Sequence, residues 1–130
     1  MVKTLLAVGA GGALGAIARY LVFVFAVHLL GRSFPYGTIL VNVLGSLVMG
    51  FLVEAMALAW NALMETRLFL VVGFLGGFTT FSTFSMDFAA LYERDRLDLC
   101  AIYLTVSVTF SIGALFLGLY FARRFLQPEP

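Results

Sequence analysis

Four runs of apolar residues alternate along the chain with short clusters of turn formers and charges. A spanning helix needs about 20 predominantly apolar residues, and the runs extend roughly from Thr4 to Leu30, Gly37 to Trp60, Leu68 to Leu91 and Leu99 to Phe121. Between them lie Gly31-Arg32-Ser33-Phe34-Pro35, Glu65-Thr66-Arg67 and Glu93-Arg94-Asp95-Arg96-Leu97-Asp98. The pattern predicts an all-α membrane protein of four transmembrane helices, one domain over residues 1–130, with both termini on the same side of the bilayer. Tyr36, Trp60, Tyr92 and Tyr120 fall near the predicted helix ends, where amphipathic rings sit at the headgroups. The tail Gln127-Pro128-Glu129-Pro130 is expected to fray.

Composition leaves little room for a soluble alternative. Hydrophobic residues make up 62% of the chain and charged residues 12%, with a mean hydropathy of +1.05, against roughly 25% charged in ordinary soluble domains. A net charge of +1 offers no basic patch, which sets nucleic-acid binding aside. The first run carries Arg19, exceeds the apolar core of a signal peptide and lacks a cleavage site before the next span, so it is expected to be a resident helix. Cys100 and His28 are the only cysteine and the only histidine. They supply neither a disulfide framework nor a metal cluster, and no nucleophile has an evident base beside it. Cys100 reads as packing or interface, and His28 as an interfacial side chain.

Orientation in a membrane normally follows the Lys/Arg imbalance between the two sides. Lys3, Arg67, Arg123 and Arg124 fall on the terminal side and Arg32, Arg94 and Arg96 on the other, with Arg19 inside a span. Four against three is almost no bias. Either one orientation prevails on a weak signal, or the chain inserts both ways up and pairs as an inverted dimer.

The third run contains Gly76-Gly77-Phe78-Thr79-Thr80-Phe81-Ser82-Thr83-Phe84-Ser85, which is poor membrane helix. Backbone polar groups in lipid must be satisfied internally, so a weakened helix is tolerated only where it is buried in protein or lines a polar cavity. A break is therefore expected at Gly76-Gly77, with an ion or small-solute pathway beside it. Gly11 and Gly15, and again Gly73 and Gly77, have the GxxxG spacing that brings helix backbones together. The stretch from Gly9 to Gly15 looks superficially like a dinucleotide fingerprint, but no strand precedes it and the spacing is wrong.

Polar residues within the spans form two ladders. Thr38, Asn42 and Ser46, with Gly50, recur every fourth residue on the second helix, and Tyr103, Ser107 and Ser111 do so on the fourth, stacking them along one face. A single Ser or Thr hydroxyl commonly bonds back to the carbonyl four residues earlier; two ladders with an asparagine point instead to a narrow polar track. Arg19, midway along its span, must snorkel, pair or face a vestibule. It either serves an anion vestibule or pairs with a carboxylate such as Asp87 or Glu54. Asp87 itself either caps a vestibule or takes part in that pair.

Along nearly its whole length the chain resembles the small bacterial fluoride channels of the Fluc/CrcB family. The resemblance rests on Gly11-Gly12-Ala13-Leu14-Gly15-Ala16 with Arg19-Tyr20, Gly37-Thr38 with Val41-Asn42 and Gly45-Ser46, and most specifically on Gly76-Gly77-Phe78-Thr79-Thr80-Phe81-Ser82-Thr83-Phe84. Asp87 departs from it, since the family more often carries Glu there. The resemblance implies a fluoride-selective channel of the bacterial inner membrane, built as an antiparallel, dual-topology homodimer with two pores at the subunit interface. It makes Phe81 and Phe84 pore-lining rings and Asn42 a pore amide, with Ser82 and Thr83 in the same polar region. It makes Tyr103, Ser107 and Ser111 a polar track and Arg19 a vestibule cation. It also implies a structural sodium ion held by the main-chain carbonyls of Gly76 and Thr79 from both subunits.

The residue chemistry agrees with the class of ligand. Aromatic rings have a positive edge, amide and hydroxyl groups donate hydrogen bonds, and conduction needs binding weak enough to permit exit. Fluoride over chloride comes from the resemblance alone. A small four-span multidrug or cation exporter would share the size and the inversion, but would carry an acid in the first span where this chain has Arg19. A non-transporting assembly subunit would account for the glycine spacing and not for two polar ladders.

Overall fold

A computed structural model describes residues 1–127, and no strand occurs among them. The predicted fraying falls partly on residues 128–130, which lie outside the described residues. Four helical spans long and apolar enough to cross a membrane are present. The first is α1 (Val2–Leu30) and the second α2 (Tyr36–Leu58). The third runs through α3 (Met64–Arg67), a π-helical stretch (Leu68–Leu75) and α4 (Gly76–Phe78), and resumes as α5 (Phe81–Glu93). The fourth is α6 (Leu97–Leu126). The sequence expectation set the start of every span, and the ends of the third and fourth, short, because interfacial turns are less apolar than the spans they extend; it matched the end of the first at Leu30 and carried the second past Leu58 to Trp60.

Turns are tight and chemically conventional. Gly31, with φ of 81°, closes α1 and passes the chain through residues 32–35 to α2. Asp95, with φ of 55°, takes the left-handed conformation that Asp tolerates, and the turn is closed by Arg96 N–H donating to the Leu91 carbonyl at 3.2 Å. These two turns share one end of the bundle, called the loop side below. The start of α1, the end of α6 and residues 59–63 occupy the other.

Small residues set the packing. α1 lies against the first half of the third span so closely that a Cβ at Gly77 would stand 2.6 Å from the Gly12 carbonyl oxygen, and one at Gly15 would collide with the backbone of Phe74. The two GxxxG stretches therefore pair within one subunit and are not free faces for a second, as the spacing alone left open. α2 and α6 meet in the same way, with Gly50 against the backbone of Leu115 and Gly118 against that of Leu47. The Arg123 Nε donates to Glu54 Oε1 at 2.8 Å across this pair at the terminal side, which removes Glu54 as a partner for Arg19. On the loop side Phe84, Leu91, Cys100 and Tyr103 form a compact core with Phe34, Ile39, Phe88 and Leu99 against it. Cys100 is thus a packing residue, its Sγ 3.8 Å from the Phe88 carbonyl oxygen.

Gly76 and Gly77 are helical, and the interruption falls at Thr79 and Thr80, whose backbones are extended (φ −82°, ψ 159° and φ −156°, ψ 120°). The expected break at the glycines is corrected on this point. Glycine in this span serves close approach to α1, whereas the β-branched threonines adopt extended geometry readily and are held there from outside the span.

Candidate functional site

The break is held by α2. Asn42 Nδ2 donates to the Thr80 carbonyl at 3.0 Å, and Thr80 N–H donates to Asn42 Oδ1 at 2.8 Å. One amide thus satisfies both backbone groups of an extended residue at membrane depth, where an unpaired group is costly. The Thr80 hydroxyl caps α5, accepting from Thr83 N–H at 3.1 Å and donating to Thr83 Oγ1 at 3.1 Å, with Ser82 Oγ 3.2 Å away. Threonine is a good N-cap, and this role of Thr80 was readable in its placement three residues before Thr83. Arg19 Nη1 donates to the Thr79 carbonyl at 3.3 Å, tying α1 to the same point. It meets neither Asp87 nor Glu54.

Beside the break runs a groove of about 380 Å³ lined by Asn42, Ser46, Thr79, Thr80, Phe81, Phe84, Ser107, Val108, Ser111 and Ile112. It brings together Asn42 and Ser46 of the α2 ladder, Ser107 and Ser111 of the α6 ladder and the two phenylalanines. Phe84 is buried and Phe81 is 78% exposed, with their centroids 5.5 Å apart. Among the described residues the Ser107 and Ser111 hydroxyls are buried without a hydrogen-bond partner. They do not bond back to their own helix, unlike Thr79 and Ser85, whose hydroxyls donate to the Leu75 and Phe81 carbonyls at 2.9 and 3.1 Å. An unsatisfied buried hydroxyl costs about 1–3 kcal/mol, so two of them stacked one turn apart call for a partner, a water molecule or a ligand.

Tyr103 and Thr83 sit apart from this groove. Tyr103 is fully buried and stacks at a tilt on Phe84, centroids 5.1 Å apart. Its hydroxyl donates to Asp87 Oδ2 at 2.9 Å, and the Thr38 hydroxyl donates to the same oxygen at 2.6 Å. Asp87 and Thr83 line a second cavity, of about 270 Å³, that opens at the loop side among Arg32, Ser33, Phe34, Thr38 and Arg94. Through its bond to Asp87 and its packing on Phe84, Tyr103 links the lining of this cavity to that of the groove. Neither Thr38 as a partner of Asp87 nor Arg32 and Arg94 as its cavity neighbours was foreseen, because the facing of separate helices is not written in the spacing along either one.

The Gly76 carbonyl has lost its regular helical donor, since Thr80 N–H is given to Asn42. A Cβ at Gly76 would meet only the Val71 carbonyl oxygen, at 3.9 Å, so no contact within the subunit demands glycine there. Thr79 keeps a second carbonyl lone pair beside its bond from Arg19. Two such carbonyls at a helix end have the chemistry of a cation site.

Known proteins are similar to this chain over most of its length. Residues 6–119 match the family model described as CrcB-like protein, Camphor Resistance (CrcB). A protein of Agrobacterium fabrum named fluoride-specific ion channel FluC is 52% identical over 117 residues, which cover 90% of this chain and 94% of the relative. One of the same name from Rhodospirillum centenum is 50% identical over 121 residues, 93% and 96% of the two chains, and one from Caulobacter is 50% identical over 121 residues, 92% and 94% of the two. With its family match running through all four spans and about half its positions shared with relatives of similar length, the chain belongs to the CrcB family.

Proposed function

We infer that the protein is a fluoride-selective ion channel, a multi-pass protein of the bacterial inner membrane that lets fluoride leave the cytoplasm by passive conduction. The observation that carries this reading is the pair of orphaned hydroxyls, Ser107 and Ser111, facing a groove with the Asn42 amide and two phenyl rings, in a chain about half identical to proteins named fluoride-specific ion channels. Hydroxyls and an amide donate to the ion, ring edges meet it with weak positive charge, and no fixed cation in the groove holds it too tightly to leave.

Phe81, which lines the groove, lies largely exposed on the subunit surface. This supports an inverted homodimer in which a second copy closes each groove, giving two pores with a two-fold axis in the membrane plane. The nearly even Lys/Arg count supports the same arrangement. A structural sodium ion at the dimer centre is the further element of this reading. The carbonyls of Gly76 and Thr79 would hold it, supplying a positive charge and a tie between subunits; Asn42 keeps Gly76 O free for it by taking the Thr80 N–H.

Proteoliposome efflux scored for fluoride, chloride and proton-coupled organic cations tests the reading. Fluoride release with little chloride release is expected. Proton-coupled efflux of organic cations without fluoride release would make the protein an exporter, and no flux of any kind an assembly subunit.

A further inference from the structure

At the terminal side the two helices that carry the polar ladders end together. α2 and α6 both run from the loop side to the terminal side, so their last carbonyls and the negative ends of both helix dipoles meet there. Glu54 adds a full negative charge at the same place, and α2 has no basic residue in its last turn. The carboxylate is mostly covered, with 17% of its side chain exposed, and among the described residues its ion-pair partner is Arg123, whose Nε donates to Glu54 Oε1 at 2.8 Å. Packing holds the pair in register. The adjoining Ala55 and Ala122 are buried, and about one turn away Gly50 and Gly118 bring the two backbones into contact.

Negative charge gathered here works against an anion in the groove. Glu54 stands about two helical turns beyond Ser46 on α2, which is about 12 Å along the helix. A unit charge at about that distance, across an effective dielectric of about 20, changes the local concentration of a monovalent ion about tenfold. A fluoride ion beside Ser46, which lines the groove, therefore feels whether Glu54 is neutralised.

We propose that Arg123 is the counter-charge that keeps the terminal-side half of the fluoride path from repelling its own ion, by cancelling the field of Glu54 at the groove without touching fluoride. The inference rests on the fluoride-channel reading. Arginine suits the task because its guanidinium does not lose its proton. The pairing acts in the other direction too. Glu54 holds the guanidinium against α2, so no free cation stands at the end of the path to retain an ion that has to leave. Removing one partner or the other shifts the potential in opposite directions. That difference of sign separates an electrostatic role from a clasp between α2 and α6, which loses the same contact whichever partner is removed.

Fluoride current through planar bilayers at subsaturating fluoride tests the inference in wild type, Arg123→Gln, Glu54→Gln and the double variant. Arg123→Gln leaves three Lys or Arg residues on each side of the membrane, so insertion stays balanced. Its current should fall by about threefold to tenfold, Glu54→Gln should raise the current, and the double variant, neutral again, should return to within about twofold of wild type. Raising the ionic strength with an impermeant salt to about 1 M, where the Debye length is about 3 Å, should shrink the differences. If Arg123→Gln does not assemble, Glu54→Gln carries the test alone, and an unchanged or reduced current overturns the inference. Equal loss in both single variants and the double variant reduces the pair to a clasp and overturns it, as does wild-type current in all three. Wild type that carries no fluoride current overturns the channel reading and this inference with it.

Discussion

Asn42 and Thr80 hold each other by a reciprocal pair of hydrogen bonds, 3.0 Å from the amide nitrogen to the Thr80 carbonyl and 2.8 Å from the Thr80 N–H to the amide oxygen. The pore amide implied by the family pattern is thus also the support of the break, with one N–H left for an ion. Asn42→Ala leaves two backbone groups at membrane depth unpaired, at about 1–3 kcal/mol each. Its thermal unfolding midpoint in detergent should drop well below wild type. Asn42→Asp keeps the acceptor for Thr80 N–H but turns a carboxylate oxygen on the Thr80 carbonyl and brings negative charge to the path. Fluoride flux per folded dimer should be abolished, and flux near wild type would remove Asn42 from the pathway.

Glycine substitutions separate packing within the subunit from packing between subunits. A Cβ at Gly15 or Gly77 meets backbone that cannot retreat, so Gly15→Ala should cost at least the 1–3 kcal/mol typical of overpacking and give a poorly folded protein. Gly76→Ala meets nothing within the subunit closer than 3.9 Å. Its helical content should match wild type by circular dichroism while the dimer weakens by size-exclusion chromatography. Equal loss of fold in both variants would place Gly76 in the subunit core.

The inverted dimer requires insertion in both orientations, which the nearly even Lys/Arg distribution permits. Two or three Lys residues added to one side should lock the topology and abolish fluoride efflux, with recovery on co-expression of a copy biased the other way. Full activity from a single locked orientation would contradict the inverted dimer.

Sodium bound by main-chain carbonyls should be structural and slow to exchange. Prolonged dialysis into a large organic cation should weaken dimer and flux together, and Thr79→Ser, which keeps the carbonyl, should behave as wild type. Indifference of both dimer and flux to sodium removal would exclude this site.

The spans were legible because hydrocarbon imposes a length and a composition that few other structures share. So were most residues of the groove, since Asn42 and Ser46 on one ladder and Ser107 and Ser111 on the other need only the helical repeat to be seen. What stayed hidden depends on how separate helices face one another. The partners of Arg19, Glu54 and Asp87 turned out to be the Thr79 carbonyl, Arg123 and the Thr38–Tyr103 hydroxyls, and no spacing within one helix encodes them. The break was set three residues early for a related reason. Glycine pairs weaken a helix in isolation, but here α1 lies close enough to keep Gly76 and Gly77 helical, and Asn42 on α2 draws Thr80 out instead.

Conduction along the groove is tested most directly at its two rings. Phe81→Ile and Phe84→Ile keep apolar bulk, and such swaps usually cost less than about 1.5 kcal/mol in a core, while deleting the aromatic edges that would meet the ion. Fluoride-electrode recordings from proteoliposomes should show rapid release with wild type and near-background release with the double variant, whose dimer still elutes at the wild-type position. Wild-type release rates from that intact double variant would contradict conduction between Phe81 and Phe84.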